Sequence, residues 1–264
     1  MNILDTIVEY KKEEVKSQKS KVKIDQLTNY SGFSKESLSL RKFLLNESRT
    51  GIIAEFKRKS PSKGDINCNA DVVKVTNAYA KDASGLSVLT DENFFGGSVN
   101  DLMQARVNII PILRKDFMID EYQFYEAKAI GADVILLIAA CLTIQQTKEF
   151  ASLAKQLGLE VLLEIHDEEE LEHICDEVDF VGVNNRNLKT FEVNINTSLN
   201  LINKIPKDKL AIAESGISNV DTIITLKQAG FKGFLIGENF MKQQNPAIAF
   251  AEFVKELPQI PKGA

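Results

Sequence analysis

Five short apolar runs in this sequence end in charged or amide side chains at a spacing of two. Ile53, Glu55 and Lys57 alternate in one; Pro111, Leu113 and Lys115 in another; Leu162 and Glu164, then Gly182, Asn184 and Arg186, then Ile212 and Glu214 in the rest. Along a β-strand, residues i and i+2 face the same side. If these faces share one interior, two lysines, three glutamates, an arginine and an asparagine converge, each at the C-terminal end of its run. Burying such charges costs several kcal/mol apiece unless they are paired. Taken singly, each reads as well as the solvated start of a loop. Five at the same end are hard to explain by structure alone, and their types are those of proton transfer and anion binding. Alternation does not say which of Arg114, Lys115 and Asp116 points inward, and Lys57-Arg58-Lys59 taken alone is an ordinary solvated basic run.

A second signal is suited to an anion. Ser215 and Gly216 follow Glu214, and Gly237 closes the last apolar run. Small residues let backbone N–H groups approach anion oxygens, and helix N-termini add a favourable dipole. Neither stretch is specific alone; after the seventh and eighth strands of a barrel they mark a recurrent phosphate site. Glu238, next to Gly237, is expected to point away from the anion, or else the site is built from backbone alone.

The elements that must position these residues recur from Gly51 onward. Eight candidate strands, 51–56, 86–90, 109–113, 133–139, 160–165, 180–184, 210–214 and 233–237, alternate with helical patterns. Such alternation implies parallel pairing through right-handed crossovers. Eight units in roughly 210 residues fit a closed (β/α)8 barrel, an α/β fold whose active sites lie at the C-terminal ends of the strands. An open doubly wound sheet would carry a glycine-rich turn after its first strand; here the first strand runs into Phe56-Lys57-Arg58-Lys59-Ser60-Pro61. Asp120…Gln123, Thr143…Gln146 and Asp167…Glu170 have capping-box spacing or close to it. Gly85, Gly131, Gly158 and Gly230 stand where helices should end. Residues 1–50 fall outside the repeat. Amphipathic helices over 1–15 and around 34–46 make them a helical extension packed on the barrel of 51–264, one domain overall.

Composition narrows the function classes. The chain has 264 residues, 44% hydrophobic and 26% charged, with a formal net charge of −5. That is enough for one sizeable core and excludes a global basic field for nucleic acid. Cys68, Cys141 and Cys175 lack CxxC spacing, which argues against a disulfide framework or structural zinc. His166 and His173 are too few for a histidine metal centre. Cys141 reads as a core residue and His173 as a solvated one. The N-terminus lacks an uninterrupted apolar stretch and no segment has membrane-span length, so a cytoplasmic protein is expected.

Six motifs, in order, resemble those of the indole-3-glycerol-phosphate synthases. They are Ile53-Ala54-Glu55-Phe56-Lys57-Arg58-Lys59-Ser60-Pro61-Ser62, Leu113-Arg114-Lys115-Asp116-Phe117, Tyr122-Gln123…Glu126-Ala127 leading to Gly131-Ala132-Asp133, Leu163-Glu164-Ile165-His166, Gly182-Val183-Asn184-Asn185-Arg186-Asn187-Leu188 and Ala213-Glu214-Ser215-Gly216-Ile217. The resemblance runs from the N-terminal extension to the last strand. It implies a TIM barrel that converts 1-(2-carboxyphenylamino)-1-deoxyribulose 5-phosphate to indole-3-glycerol phosphate, carbon dioxide and water in tryptophan biosynthesis, with no metal or organic cofactor. It further implies Lys115 as general acid of ring closure, and Glu164 as base of the later step or as the group that orients Lys115. Lys57 would grip the substrate carboxylate and serve as acid in dehydration. Glu55 and Asn184 would hold the sugar hydroxyls and position the lysines, with Glu214 in the same polar cluster. Ser60, Ser215, Gly216 and Gly237 would hold the phosphate, with Arg186 in support.

The substrate's aromatic ring needs an apolar wall, for which Phe94 and Phe95, and Leu136 or Leu137, are candidates. Asp65 and Ile66 after Gly64 depart mildly from the family pattern, where a small apolar residue is expected. The expected partner is a phosphorylated small molecule, with no nucleic acid and no membrane, and the expected state a monomer or weak homodimer. The chain ends soon after its last helical pattern, so no fused second enzyme is expected. Two rivals remain. Another phosphosugar barrel enzyme, such as an isomerase, would use a cysteine and an aspartate at strand ends. A non-catalytic phosphate-ligand binding protein would not need Lys115 opposite Glu164.

Overall fold

In the computed structural model, which describes residues 3–258, eight parallel strands close into a barrel. They are β1 (Ile52–Phe56), β2 (Gly85–Leu89), β3 (Ile112–Lys115), β4 (Val134–Ile138), β5 (Glu160–Ile165), β6 (Phe180–Asn184), β7 (Leu210–Glu214) and β8 (Gly233–Ile236). Each pairs with the next in sequence, and β8 returns to β1. The strands are buried almost throughout because alternate residues enter two apolar layers. Ile53, Leu113, Leu136, Leu162, Phe180, Ile212 and Leu235 fill the barrel. Ala54, Ile112, Ile135, Leu137, Val181 and Ala213 face the surrounding helices. This double covering is why the runs read as continuously apolar.

The N-terminal segment serves both ends of the barrel. Helix α1 (Ile3–Lys21) brings Ile7, with Ile3 and Leu4, onto the interior cluster at the C-terminal mouth. A short α2 (Ile24–Leu27) follows, and α3 (Leu40–Leu45) plugs the opposite end with Leu40 and Leu44. A β-carbon on Gly85, the first residue of β2, would meet Leu40 at 2.8 Å, so the plug needs a bare backbone there. Glu160, opening β5, accepts hydrogen bonds from Ser39 Oγ and Leu40 N, both at 2.6 Å. A carboxylate so placed satisfies free amides at the start of α3 and matches its dipole.

Several local expectations shift. The third strand begins at Ile112 rather than at residue 109, and Ile109 is 86% exposed. Arg106 donates to the carbonyls of Asn108 and Ile110 and to Asp133, which bends residues 108–110 out of the sheet. The helix expected around 34–46 is α3 and starts at residue 40, because the preceding backbone is drawn out to Asp133, whose Oδ1 accepts from Leu38 N. Gly131, Gly158 and Gly230 adopt positive φ, as helix ends require, but Gly85 is strand. Thr143 and Gln146 form the reciprocal capping box, whereas Asp167 caps only a 3-10 turn, Glu169–His173. His173 is not a free surface residue: Nδ1 lies 2.9 Å from Thr147 Oγ1. Cys141 is partly buried and packs against both apolar layers. No helix among the described residues is long and apolar enough to cross a membrane. Residues 259–264, at the end of the expected barrel segment, lie outside the described residues.

Candidate active site

A cavity of about 420 Å³ opens at the C-terminal ends of the strands. Glu55, Lys57, Ser60, Lys115, Glu164, Asn184, Arg186, Glu214, Ser215, Gly216 and Gly237 all line it. For Glu55, Lys115, Glu164, Asn184 and Glu214 the convergence follows from parity: each shares its face with an apolar residue that fills the barrel below, as Glu55 does with Ile53 and Lys115 with Leu113. In the Arg114-Lys115-Asp116 run, Lys115 is the inward residue. Arg114 lies in the helix layer, bonded to Thr90, Asp116, Glu126 and the carbonyl of Gln123.

Lys115 sits between two glutamates from distant strands. Its Nζ donates to Glu164 Oε2 at 2.5 Å and to Glu214 Oε2 at 2.9 Å. Asn184 Nδ2 donates to the other oxygen of Glu164 at 3.1 Å. A separate pair stands alongside: Lys57 Nζ lies 2.6 Å from Glu55 Oε1. Two glycines make room for these carboxylates. A β-carbon on Gly182 would strike Glu214 Oε1, and one on Gly237 would lie 2.5 Å from Glu55 Oε1.

Burial disfavours the charge on Lys115, but Glu164, Glu214 and Glu55 outweigh it and hold its proton more tightly than on an ordinary lysine. Burial also works against the Glu164 anion; Lys115 and His166 reverse this and hold its carboxyl well below the usual range. Glu214 goes the other way. Burial, with the Glu164 charge adding to it, pushes it up to about 7 against the pull of Lys115. One lysine between two carboxylates of unlike proton affinity can give a proton on one side and keep a base on the other.

At the end of the cavity where the sequence leads one to expect a phosphate, small residues meet two cations. Ser215 and Gly216 both adopt positive φ after β7, and Asn185 fixes this turn by donating to the Ser215 carbonyl at 3.1 Å. Gly237 precedes the short helix Glu238–Met241. Glu238 does not point away from this end. It lines the same cavity, 3.2 Å from Arg186 Nη2 and 3.7 Å from Lys63 Nζ, because these cations compensate its charge.

The apolar part of the cavity lining is formed by Leu4, Ile7, Phe95, Phe117, Leu136, Ile138, Leu188 and Phe191. Phe94 is not part of it. Asp91 Oδ1 accepts from both Phe94 N and Phe95 N, and this turn sends the Phe94 ring edge-on against Tyr10 of α1, 5.7 Å away. Leu137 faces the helices, leaving Leu136 as the wall residue.

Two groups escape the sequence reading. Lys11 of α1 is fully buried, 2.8 Å from Glu14, 3.0 Å from Asp91 and 2.9 Å from Asp116. Asp116 also accepts from Phe117 N and Thr90 Oγ1, so this cluster braces the loop carrying Phe95 and the end of the strand carrying Lys115. A trace was legible: Lys11 lies between Ile7 and Val15 in the apolar stripe of α1. The other is His166, whose Nε2 lies 3.3 Å from Glu164 Oε1.

A family model described as Indole-3-glycerol phosphate synthase matches residues 4–253. The chain is 47% identical over 258 residues to an indole-3-glycerol phosphate synthase of Bacteroides thetaiotaomicron, covering 97% of this chain and 99% of that one. It is 45% identical over 262 residues to one of Caldanaerobacter subterraneus subsp. tengcongensis, covering 97% and 98%. Among solved structures, a chain of the tryptophan synthase a2b2 complex from Pyrococcus furiosus superposes with a TM-score of 0.59 at 16% identity, over 79% of this chain and 98% of that one. That likeness speaks for the barrel fold alone.

Proposed function

This chain belongs to the indole-3-glycerol phosphate synthase family, and on that premise we propose how its cavity carries the carboxy-lyase reaction of tryptophan biosynthesis. The substrate, 1-(2-carboxyphenylamino)-1-deoxyribulose 5-phosphate, has an aromatic carboxylate at one end and a phosphate at the other. The phosphate is held by Ser60, Ser215, Gly216 and Gly237, with Arg186 in support. The aromatic ring lies on Phe95 and Leu136. Lys57 meets the carboxylate, and Glu55 and Asn184 hold the sugar hydroxyls. The observation that carries this assignment is the sharing of Lys115 between Glu164 and Glu214.

In ring closure, the ring carbon bearing the carboxylate attacks the ribulose carbonyl carbon, and Lys115 gives its proton to the carbonyl oxygen. Carbon dioxide then leaves, and the electron pair of the broken bond flows into the iminium. In the last step the new hydroxyl departs as water, with Lys57 as acid, while Glu164 takes a proton from the ring. Ring closure and dehydration each need a proton donor or acceptor shielded from bulk water, which the buried glutamates and half-buried lysines supply. We further read residues 1–50 as an extension of one barrel domain, the protein as a monomer or weak homodimer, and its compartment as the cytoplasm.

The test is turnover of the carboxyphenylamino-deoxyribulose phosphate by chelator-treated protein, followed by indole fluorescence. Lys115→Ala is expected to lower kcat by about 10²–10⁴ with the fold intact, the usual worth of a positioned proton donor. Appreciable retained activity would refute the role given to Lys115.

A further inference from the structure

Lys115 cannot stabilise Glu164 through the whole reaction. While it is protonated, its ammonium lies 2.5 Å from Glu164 Oε2. Once that proton has gone to the substrate oxygen, Glu164 loses its nearest cation. A carboxylate only 3% exposed would then tend to take up a proton and cease to be a base.

A second cation is already in place. His166 Nε2 lies 3.3 Å from Glu164 Oε1, the oxygen that Lys115 does not use. Glu170 holds the ring from its other side: its Oε2 lies 3.2 Å from His166 Nδ1 and accepts from His166 N at 2.6 Å. Asp167 Oδ1 fixes Glu170 in turn by accepting from its backbone N–H at 3.2 Å. The charged groups facing the imidazole are therefore Glu164 and Glu170. Lys115 and Glu214 reach it through Glu164. Cys141, at the end of β4, is kept a neutral thiol by burial and then by Glu164, Glu170 and Asp5 of α1. Burial disfavours charge on His166, yet the two glutamates on either side of the ring, Glu164 and then Glu170, push it up to about 10. It is thus an imidazolium at neutral pH, and Lys115 is not among the groups that hold its proton. His166 is not among the cavity-lining residues, so it acts through Glu164.

We propose that His166, steadied by Glu170, is a positioning residue that keeps Glu164 ionised and aimed into the cavity after Lys115 has given up its proton. The inference rests on the roles proposed above for Lys115 and Glu164.

The experiment measures kcat and kcat/KM from pH 5.5 to 9 for the wild type, His166→Gln, Glu170→Gln and Glu164→Gln. Without the imidazolium, the acid limb of the His166→Gln profile should move to higher pH, with kcat about tenfold lower at pH 6, close to wild type at pH 8.5, and KM little changed. Glu170→Gln, which leaves the ring in place, should move the limb in the same direction by less. If both variants keep the wild-type limb, or lose kcat equally at every pH, His166 is merely structural and the proposal is overturned. An inactive Glu164→Gln alongside that result would leave the assignment of Glu164 standing. An active Glu164→Gln would overturn that assignment and this proposal with it. Should His166→Gln fail to fold by circular dichroism, the Glu170→Gln profile decides.

Discussion

Replacing Lys11 by methionine keeps most of the side chain's volume and removes a charge that three carboxylates surround. In the wild type, the opposing cost of burial is outweighed by Asp116, then Asp91, then Glu14, so the lysine stays charged. Removing one partner from a buried ion pair costs about 3–5 kcal/mol, because the remaining charge is left uncompensated. Asp116 keeps Arg114 and Thr90, and Asp91 Oδ1 keeps two backbone amides. The lower end of that range, about 3 kcal/mol, therefore applies. At about 2–4 °C per kcal/mol for a chain near this size, the variant should melt some 6–12 °C lower. The defect has a pH signature. In the wild type, burial works against the Asp116 anion, and Lys11, Arg114 and Thr90 together hold its carboxyl below the usual range; without Lys11 that hold weakens, so the variant's stability gap to the wild type narrows as pH falls and widens as pH rises. Melting curves at pH 5 and pH 8 test both effects, and kcat should fall about tenfold because Phe95 and Lys115 lose their brace. A variant that melts within about 1 °C of the wild type at both pH values, with unchanged kcat, would refute the reasoning.

Other perturbations give separate readings. Gly237→Ala would place a β-carbon 2.5 Å from Glu55 Oε1 and 2.8 Å from Glu55 Cβ; the displaced glutamate should cost about a hundredfold in kcat/KM in the fluorescence assay. Glu214→Gln removes a carboxyl whose folded-state value is raised from 4.5 to about 7. In the wild type, the stability tied to that raised value is fully present below pH 4.5 and lost as pH rises through 7. The melting temperature of Glu214→Gln should therefore gain on the wild type between pH 5 and pH 8, and a constant gap would contradict the assignment. Glu238→Gln releases Arg186 and Lys63 for the phosphate. Such partly exposed pairs are worth about 0.2–1 kcal/mol, so KM should fall by about 1.4- to fivefold with kcat little changed.

Much of this protein was legible from short stretches of chain. The eight apolar runs, the glycines at helix ends and the Thr143…Gln146 box report on backbone geometry that neighbours along the chain dictate. Parity then placed Glu55, Glu164, Asn184 and Glu214 on inward faces, because a strand's period of two survives whatever lies across from it, whereas the choice of Lys115 over Arg114 and Asp116 came only with the folded barrel. Tertiary structure decided which charges meet. Lys115 binds partners 49 and 99 residues away, and only closure of the barrel fixes that distance. The same holds for Phe95 over Phe94, chosen by two hydrogen bonds to Asp91, and for Glu238, turned into the mouth by Arg186 and Lys63. Lys11 states the division most plainly: the sequence shows a lysine in an apolar stripe, but only packing of α1 on the barrel brings Asp91 and Asp116 within 3.0 Å of it. Local pattern depends on covalent geometry and side-chain period, whereas charge pairing depends on through-space contact between segments that the chain holds far apart.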